Sequence, residues 1–318
     1  MNSPVLMGDI GATLTRLALY EAGHEIGRRE TVHNAQFDSL GSVVTHYLAR
    51  HPSRGRPHMA VLAVAGPVFE NEVTVTNLGW RVSATSLKLQ FGFESVHLIN
   101  DLCAVAMAVP LLTPADRVQI GEGTSMPAGT IGVLAPGTGL GVAGLVRSGQ
   151  EWVPVPGEGG HATLSARGER EQAILQGLEK RFGHVSAERV LSGPGIENLY
   201  SMVAERHGVS GAPPAAPEIG ARALSGTDTL AVETLDLFFL MLGTVAGNLA
   251  LTLGATGGIF LAGGVLPKLR AQLVSSGFRE RFADKGRYRR YLEAIPTFLI
   301  TGEVPALIGL RDFVDKQR

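Results

Sequence analysis

The chain has 318 residues, 45% hydrophobic and 18% charged, which is enough apolar material for two domains or one large one. Its 28 Lys+Arg against 29 Asp+Glu leave a formal net charge of -1 with no basic stripe, so a nucleic-acid footprint is excluded. The single cysteine, Cys103, excludes an intrachain disulfide and any multi-cysteine zinc site, and it points to a reducing compartment.

Residues 1–4 lack the basic and apolar regions of a signal peptide, so a cytoplasmic location is expected. Val5–Met7 reads as a short buried strand, followed by a glycine-rich turn, Gly8-Asp9-Ile10-Gly11-Ala12-Thr13. Arg16–Glu21 and His24–Val32 complete a unit of strand, loop, strand, turn, strand. Phe37–Arg50 has helical spacing, with Asp38 or Ser39 as its cap. Met59–Ala65 is a strand, Glu72–Thr76 and Trp80–Val82 alternate as a hairpin, and Ser83 or Thr85 opens a short helix to Phe91. Val96–Asp101 ends a strand and leads into a helix over Leu102–Val109.

The opening unit recurs. Thr130–Ala135 is an apolar strand, Pro136-Gly137-Thr138-Gly139-Leu140-Gly141 a glycine loop, and Val142–Val146 and Glu151–Val155 are strands. The shared order suggests an internal duplication. Glu169–Phe182, Ala187–Leu191 and Gly195–Arg206 read as helices, and Ala212–Pro217 as a surface loop. Ala231–Leu253 is a long apolar helix that approaches the length of a membrane span. Asn248 and two threonines interrupt it and glycines follow it, so a buried central helix is expected instead. Gly258–Ala262 is a strand ending in Gly263-Gly264, and Pro267 stands near the start of a helix. Arg279–Tyr291 is basic and reads as a solvated surface segment. Ile295–Thr301 is a strand and Pro305–Val314 a final helix.

Two glycine loops between strands can present backbone N–H groups to phosphate oxygens. Neither is a Walker A or a dinucleotide loop, and each alone reads as a tight turn. The pair, in matching strand contexts, points to nucleotide phosphates, with Thr13 and Thr138 as added hydroxyl donors. Asp9 by itself reads as a turn aspartate. Beside a phosphate it needs a cation, and Mg²⁺ held through carboxylate and water meets that need. Glu158 and His161 stand in a glycine-rich loop, suited to the hydroxyls of a polyol and too few for a metal site. Glu188 reads as an ordinary first-turn helix carboxylate. Asp101 opens a helix at a strand tip. It reads as an N-cap, or as a reactive carboxylate in the place where open α/β sheets put their chemistry.

Gly8-Asp9-Ile10-Gly11, Ile99-Asn100-Asp101, Pro136–Gly141, Gly157-Glu158-Gly159-Gly160-His161, Glu188 with Leu191-Ser192-Gly193-Pro194-Gly195, and Phe260-Leu261-Ala262-Gly263-Gly264 stand in the order found in bacterial glucokinases. Over nearly its whole length the chain resembles the glucokinase family typical of proteobacteria and cyanobacteria, within the actin-like ATPase and sugar-kinase superfamily. The resemblance implies an α/β, two-domain actin-like ATPase (ribonuclease-H-like) fold with a cleft between a small and a large domain. The small domain would be residues 1–110 plus 302–318, and the large one 111–301. ATP and Mg²⁺ are the implied cofactors. Gly8, Asp9, Ile10, Gly11, Ala12 and Thr13, with Gly137, Thr138 and Gly139, would lie on the phosphates, and Gly263 and Gly264 near the adenosine. Asp9 would hold Mg²⁺ through water.

Glucose would be held by Asn100, Asp101, Glu158, His161 and Glu188, with Asp101 as general base toward the 6-hydroxyl. A helix N-terminus favours the ionised carboxylate, which makes Asp101 chiefly an orienter that takes the proton late. The implied function is ATP-dependent phosphorylation of D-glucose to glucose 6-phosphate and ADP, a glycolytic step. The alternatives are a kinase for another hexose or amino sugar, a non-enzymatic sugar-sensing regulator, and an actin-like filament or chaperone ATPase. The first strand begins too near Met1 for the DNA-binding motif of such a regulator, and the Glu158/His161 loop argues against the filament reading. A homodimer is allowed; no nucleic-acid or membrane partner is expected. The family usually reads Gly-Gly-Thr-Asn where this chain has Gly11-Ala12-Thr13-Leu14, which adds a methyl and removes a polar side chain. The cysteine cluster of the repressor/open-reading-frame/kinase group is absent, which disfavours membership there.

Overall fold

The computed structural model describes residues 4–52, 56–75 and 78–317. The chain divides into two units. Met1–Thr113, Trp152–Pro156 and Gly302–Arg318 form the first, and Pro114–Glu151 and Gly157–Thr301 the second.

The first unit opens with β1 (Val5–Ile10), β2 (Leu14–Glu21) and β3 (His24–His33), followed by α1 (Leu40–Arg50) and β4 (Met59–Val64). Then come β5 (Glu72–Thr74), β6 (Arg81–Ser83), α2 (Ala84–Phe91), β7 (Ser95–Asn100) and α3 (Asp101–Ala108). The main sheet runs β3-β2-β1-β4-β7, with β1, β4 and β7 mutually parallel. Such central strands are covered on both faces, which is why β1 and β4 read as apolar runs without alternation. The turn expected from Gly8 begins only at Gly11, because Gly8, Asp9 and Ile10 continue β1 and pair with Leu17, Arg16 and Thr15. Ser39 caps α1 through a reciprocal capping box with Ser42. The expected hairpin forms as β5 with β6; Thr76 lies outside the described residues, as do residues 1–3.

The C-terminal helix, Pro305–Lys316, packs on α3, β1 and β4. A Cβ on Gly309 would overlap the carbonyl oxygen of Ala104, so the helix meets α3 backbone to backbone. Tyr20 reaches the same helix, donating its hydroxyl to Asp315 at 3.0 Å.

The second unit begins with β8 (Arg117–Ile120), β9 (Ile131–Pro136) and β10 (Leu140–Ser148); of β11 (Glu151–Gly157), which follows, Trp152–Pro156 belong to the first unit. It continues with α4 (Gly168–Phe182), α5 (Gly193–Arg206), α6 (Ala216–Ser225) and α7 (Thr229–Leu253). It closes with β12 (Gly258–Leu261), α8 (Arg270–Ser275), α9 (Phe278–Ala283), α10 (Arg289–Ala294) and β13 (Thr297–Ile300). Five of its strands run β10-β9-β12-β13-β8. β9 is antiparallel to β10 and parallel to β12, which is parallel to β13. The first unit has the same sequence of pairings in β2-β1-β4-β7, which is the pattern a duplicated unit would leave.

Four expectations change here. β8 was not visible in the sequence, since RVQI is short and mixed, and its place comes from pairing with β13. The loop expected over Ala212–Pro217 gives way to α6 at Ala216. Pro217 stands in its first turn, where a missing N–H costs little. Ala187–Leu191 shrinks to a 3₁₀ turn over Ala187–Arg189. The basic stretch 279–291 is a surface segment only in part: Glu280, Arg287, Tyr288, Arg290 and Tyr291 are exposed, whereas Phe282 and Ala283 are buried. It folds as α9, a 3₁₀ turn and α10, with Phe278 and Phe282 fully buried. Gly243 and Gly247 of α7 let α9 approach, since a Cβ on either would crowd the carbonyl oxygens of Phe278 and Phe282. Arg281 forms an ion pair of 2.8 Å with Glu171, itself only 2% exposed. α7 is long and apolar enough to cross a membrane by length and composition, and in the structure most of it is buried within its own unit.

Candidate active site

In the first unit the parallel strands end in one row, since Ile10 pairs with Val64 and Val64 with Asn100. The first glycine loop, the Ala65-Gly66 turn and Asp101 therefore leave the same sheet edge, where strand carboxyl ends place functional groups. Two bonds tie these exits together. The Ala65 N–H donates to the Ile10 carbonyl at 3.0 Å, and the Asn100 amide donates to the Gly66 carbonyl at 3.2 Å. Asn100 is also the N-cap of α3, its side-chain oxygen accepting from the Cys103 N–H at 3.1 Å. The cap reading thus passes from Asp101 to Asn100. Asp101 becomes the first residue of α3, half-buried, with its carboxylate accepting from the Leu102 N–H at 2.9 Å.

The first glycine loop is pegged from below by a residue that local sequence patterns did not single out. Asn34 is 1% exposed and makes two bonds to the loop and one to Thr15 just beyond it. Its N–H donates to the Thr13 carbonyl at 3.0 Å and its amide to the Gly11 carbonyl at 2.8 Å. Its side-chain oxygen accepts from the buried Thr15 hydroxyl at 2.7 Å. The Gly11 N–H is held by the Leu14 carbonyl at 3.0 Å, whereas among the described residues those of Ala12 and Thr13 carry no hydrogen bond. Asp9 faces Arg16 across the β1–β2 pair, at 3.0 Å. Burial pushes the Asp9 carboxyl up, and the charge and hydrogen bond of Arg16 pull against it. The chain thus places one cation, Arg16, against Oδ2 of Asp9.

In the second unit four sequence-predicted elements converge on the second glycine loop. Gly137 to Gly139 form the tight connection between β9 and β10, closed by a 2.8 Å bond from the Gly137 N–H to the Gly139 carbonyl. The Leu140 N–H donates to Oε2 of Glu188 at 2.8 Å, which leaves the N–H groups of Thr138 and Gly139 unbonded among the described residues. The segment after Glu188 adds a second support, from the Gly193 N–H to the Gly137 carbonyl at 2.8 Å. Gly160, between Glu158 and His161, lies so close to the Leu140 carbonyl that a Cβ there would overlap it. Glu158 and His161 themselves are exposed. Gly263, with φ +85°, sits against the Pro136 carbonyl. A Cβ on Gly137 or Gly264 would meet nothing within 4 Å, so the fold alone does not demand glycine at either. A ligand approaching the backbone would demand it.

Asn100, Asp101 and the first loop thus belong to one unit, and Glu158, His161, Glu188, the second loop and Gly263-Gly264 to the other. No group of three or more His, Cys, Asp or Glu side chains suited to a metal ion occurs among the described residues.

A family model described as Glucokinase matches residues 6–317. The chain belongs to the glucokinase family. It is 45% identical over 310 residues to a glucokinase of Nitrobacter hamburgensis, covering 98% of this chain and 97% of that one. A bifunctional glk protein of Paraburkholderia xenovorans is 42% identical over 99% of this chain, which spans about half (49%) of that longer protein. Among solved structures, the glucokinase of an Antarctic psychrotroph matches with a TM-score of 0.86 and 38% identity, over 99% of this chain and 100% of that one. The fold is the two-domain actin-like ATPase fold of the sugar kinases.

Proposed function

We propose that the chain transfers the terminal phosphoryl group of ATP to the 6-hydroxyl of D-glucose. One observation carries this reading furthest. The Glu158–His161 loop and Glu188, rich in acceptors for sugar hydroxyls, both rest on the backbone of Leu140, which closes a loop with two N–H groups unbonded among the described residues. Acceptor and donor recognition are thus built on one backbone segment. The family membership and the glucokinase names of relatives above 40% identity favour glucose among hexoses.

Phosphoryl transfer needs positioning and charge neutralisation more than covalent chemistry. The N–H groups of Ala12, Thr13, Thr138 and Gly139 are the donors for phosphate oxygens, with Gly263-Gly264 beside the nucleoside. Asp101 orients the 6-hydroxyl and accepts its proton as the bond to phosphorus forms. Asn100 holds that carboxylate in place through its cap on α3 and its bond to Gly66. Asp9, through water, is the residue that fits Mg²⁺, because this hard cation takes few protein carboxylates and several waters and phosphate oxygens. Mg²⁺ would neutralise charge on the phosphates.

The test is ADP release by the purified chain with glucose, fructose, mannose and glucosamine as acceptors. Glucose is expected to lead, and faster turnover of another hexose would reassign the substrate. Asp101→Asn should bind glucose nearly as the parent does and lose about 100- to 10,000-fold in kcat. Near-parental turnover would remove Asp101 from the chemistry.

A further inference from the structure

We infer that Glu188 is a positioning residue for the second glycine loop, so that one carboxylate sets the affinity for both nucleotide and sugar. The inference rests on the functional reading above and adds a physical link between its two substrates.

Glu188 sits on the 3₁₀ turn Ala187–Arg189, which is itself pinned. The Ala187 N–H donates to the Ala162 carbonyl at 2.9 Å, and the Ser192 hydroxyl donates to the Glu188 carbonyl at 2.8 Å. From this base the side chain reaches the exit of the glycine loop. Oε2 accepts the Leu140 N–H, and it occupies the space that a Cβ on Gly139 would need. Oε1 lies farther from that position, 3.8 Å from it, and is the oxygen left for a sugar hydroxyl. Gly139 thus leaves room for the carboxylate in this orientation.

The two N–H groups available to phosphate, those of Thr138 and Gly139, immediately precede the N–H that Glu188 holds. Withdrawing the carboxylate frees the Leu140 N–H and the loop exit together. A sugar hydroxyl on Oε1 and the Leu140 N–H on Oε2 favour the same side-chain orientation. Each substrate thus stabilises the arrangement the other needs, and linkage makes that coupling reciprocal.

The experiment is calorimetric titration of the whole chain with Mg²⁺-AMPPNP in the absence of sugar, and with glucose in the absence of nucleotide. Glu188→Ala should weaken AMPPNP binding on the order of tenfold, as loss of a charge-assisted hydrogen bond does. Glu188→Gln retains an oxygen acceptor for Leu140 and should restore nucleotide affinity to within a few-fold of the parent (about threefold) while glucose affinity stays reduced. A residue that served the sugar alone would leave AMPPNP binding unchanged in all three proteins, and that result overturns the inference. Gly139→Ala provides the reverse measurement and does not depend on Glu188→Ala folding. Its methyl displaces the carboxylate, so glucose affinity without nucleotide should fall several-fold, and unchanged glucose affinity also overturns the inference. Failure of the functional reading is separate: the parent would then turn over no hexose, whatever the titrations give.

Discussion

Single side chains decide how the glycine loops are held. Asn34 is the clearest case, because it satisfies two loop carbonyls and one buried hydroxyl at once. Asn34→Ala keeps the backbone bond to Thr13 but takes the side-chain partner from the Gly11 carbonyl and the buried Thr15 hydroxyl, so a loss of about 1–3 kcal/mol is expected from urea unfolding. The same variant should weaken AMPPNP binding, since the Ala12 and Thr13 N–H groups are no longer fixed. Asn34→Asp retains the acceptor for Thr15 but sets a buried carboxylate oxygen against the Gly11 carbonyl, and it should cost at least as much as Asn34→Ala. Arg16 changes the reading of Asp9 in a similar way. From sequence, Mg²⁺ was the one cation foreseen beside Asp9, and Arg16, opposite it in the β1–β2 ladder, is a second. The alternation of a strand shows which face a residue occupies. It does not show which residue of the neighbouring strand lies across from it until the register is set.

The helices show where local signals suffice and where they do not. α7 begins at Asp228, whose carboxylate accepts from the N–H groups of Leu230 and Ala231, and these bonds are local. Burial pushes the Asp228 carboxyl up. The bonds from Ala231, Tyr200, Leu230 and Arg222 outweigh that and hold it below its ordinary value of 3.8. Because the folded value is the lower one, the stabilisation is complete above 3.8 and is lost as pH falls through the folded value. Asp228→Ala should therefore cost about 1–2 kcal/mol at neutral pH. The gap between the melting curves of parent and variant should close in acid. A gap that widened below 3.8 would contradict the cap's depressed titration. The length and apolar character of α7 were legible, as was its burial. Its partner was not: α9 lies in a stretch whose charges suggested solvent, and the close approach depends on Gly243 and Gly247 meeting the backbone of Phe278 and Phe282. Gly309→Ala tests the corresponding contact in the first unit. Its methyl overlaps the α3 backbone, so a loss of at least about 1–3 kcal/mol is expected in urea unfolding, with reduced kcat because α3 carries Asp101.

Across the whole molecule, the chain builds most of the first unit, departs for the second, and returns to complete the first with its last helix. That helix covers β1, β4 and α3, the elements that carry the first loop and Asp101. Removing residues 305–317 should therefore strip hydrogen-exchange protection from β1, β4 and α3 while β9, β12 and β13 stay protected. Equal loss in both sets would mean that the two units unfold as one.

The sequence by itself determined the order of strands, glycine loops and helices, and hence the family and the residues on which its chemistry is proposed. These features depend on neighbours within a few positions: turn chemistry, caps and apolar period. The tertiary structure decided which groups those loops lean on. Asn34 reaches the first loop across 23 residues, and Glu188 reaches the second across 48. Such pairings follow from sheet register and from helices closing over the sheet. A carboxylate that looked like an ordinary first-turn residue therefore became the partner of the Leu140 N–H at the second glycine loop only once the chain had folded.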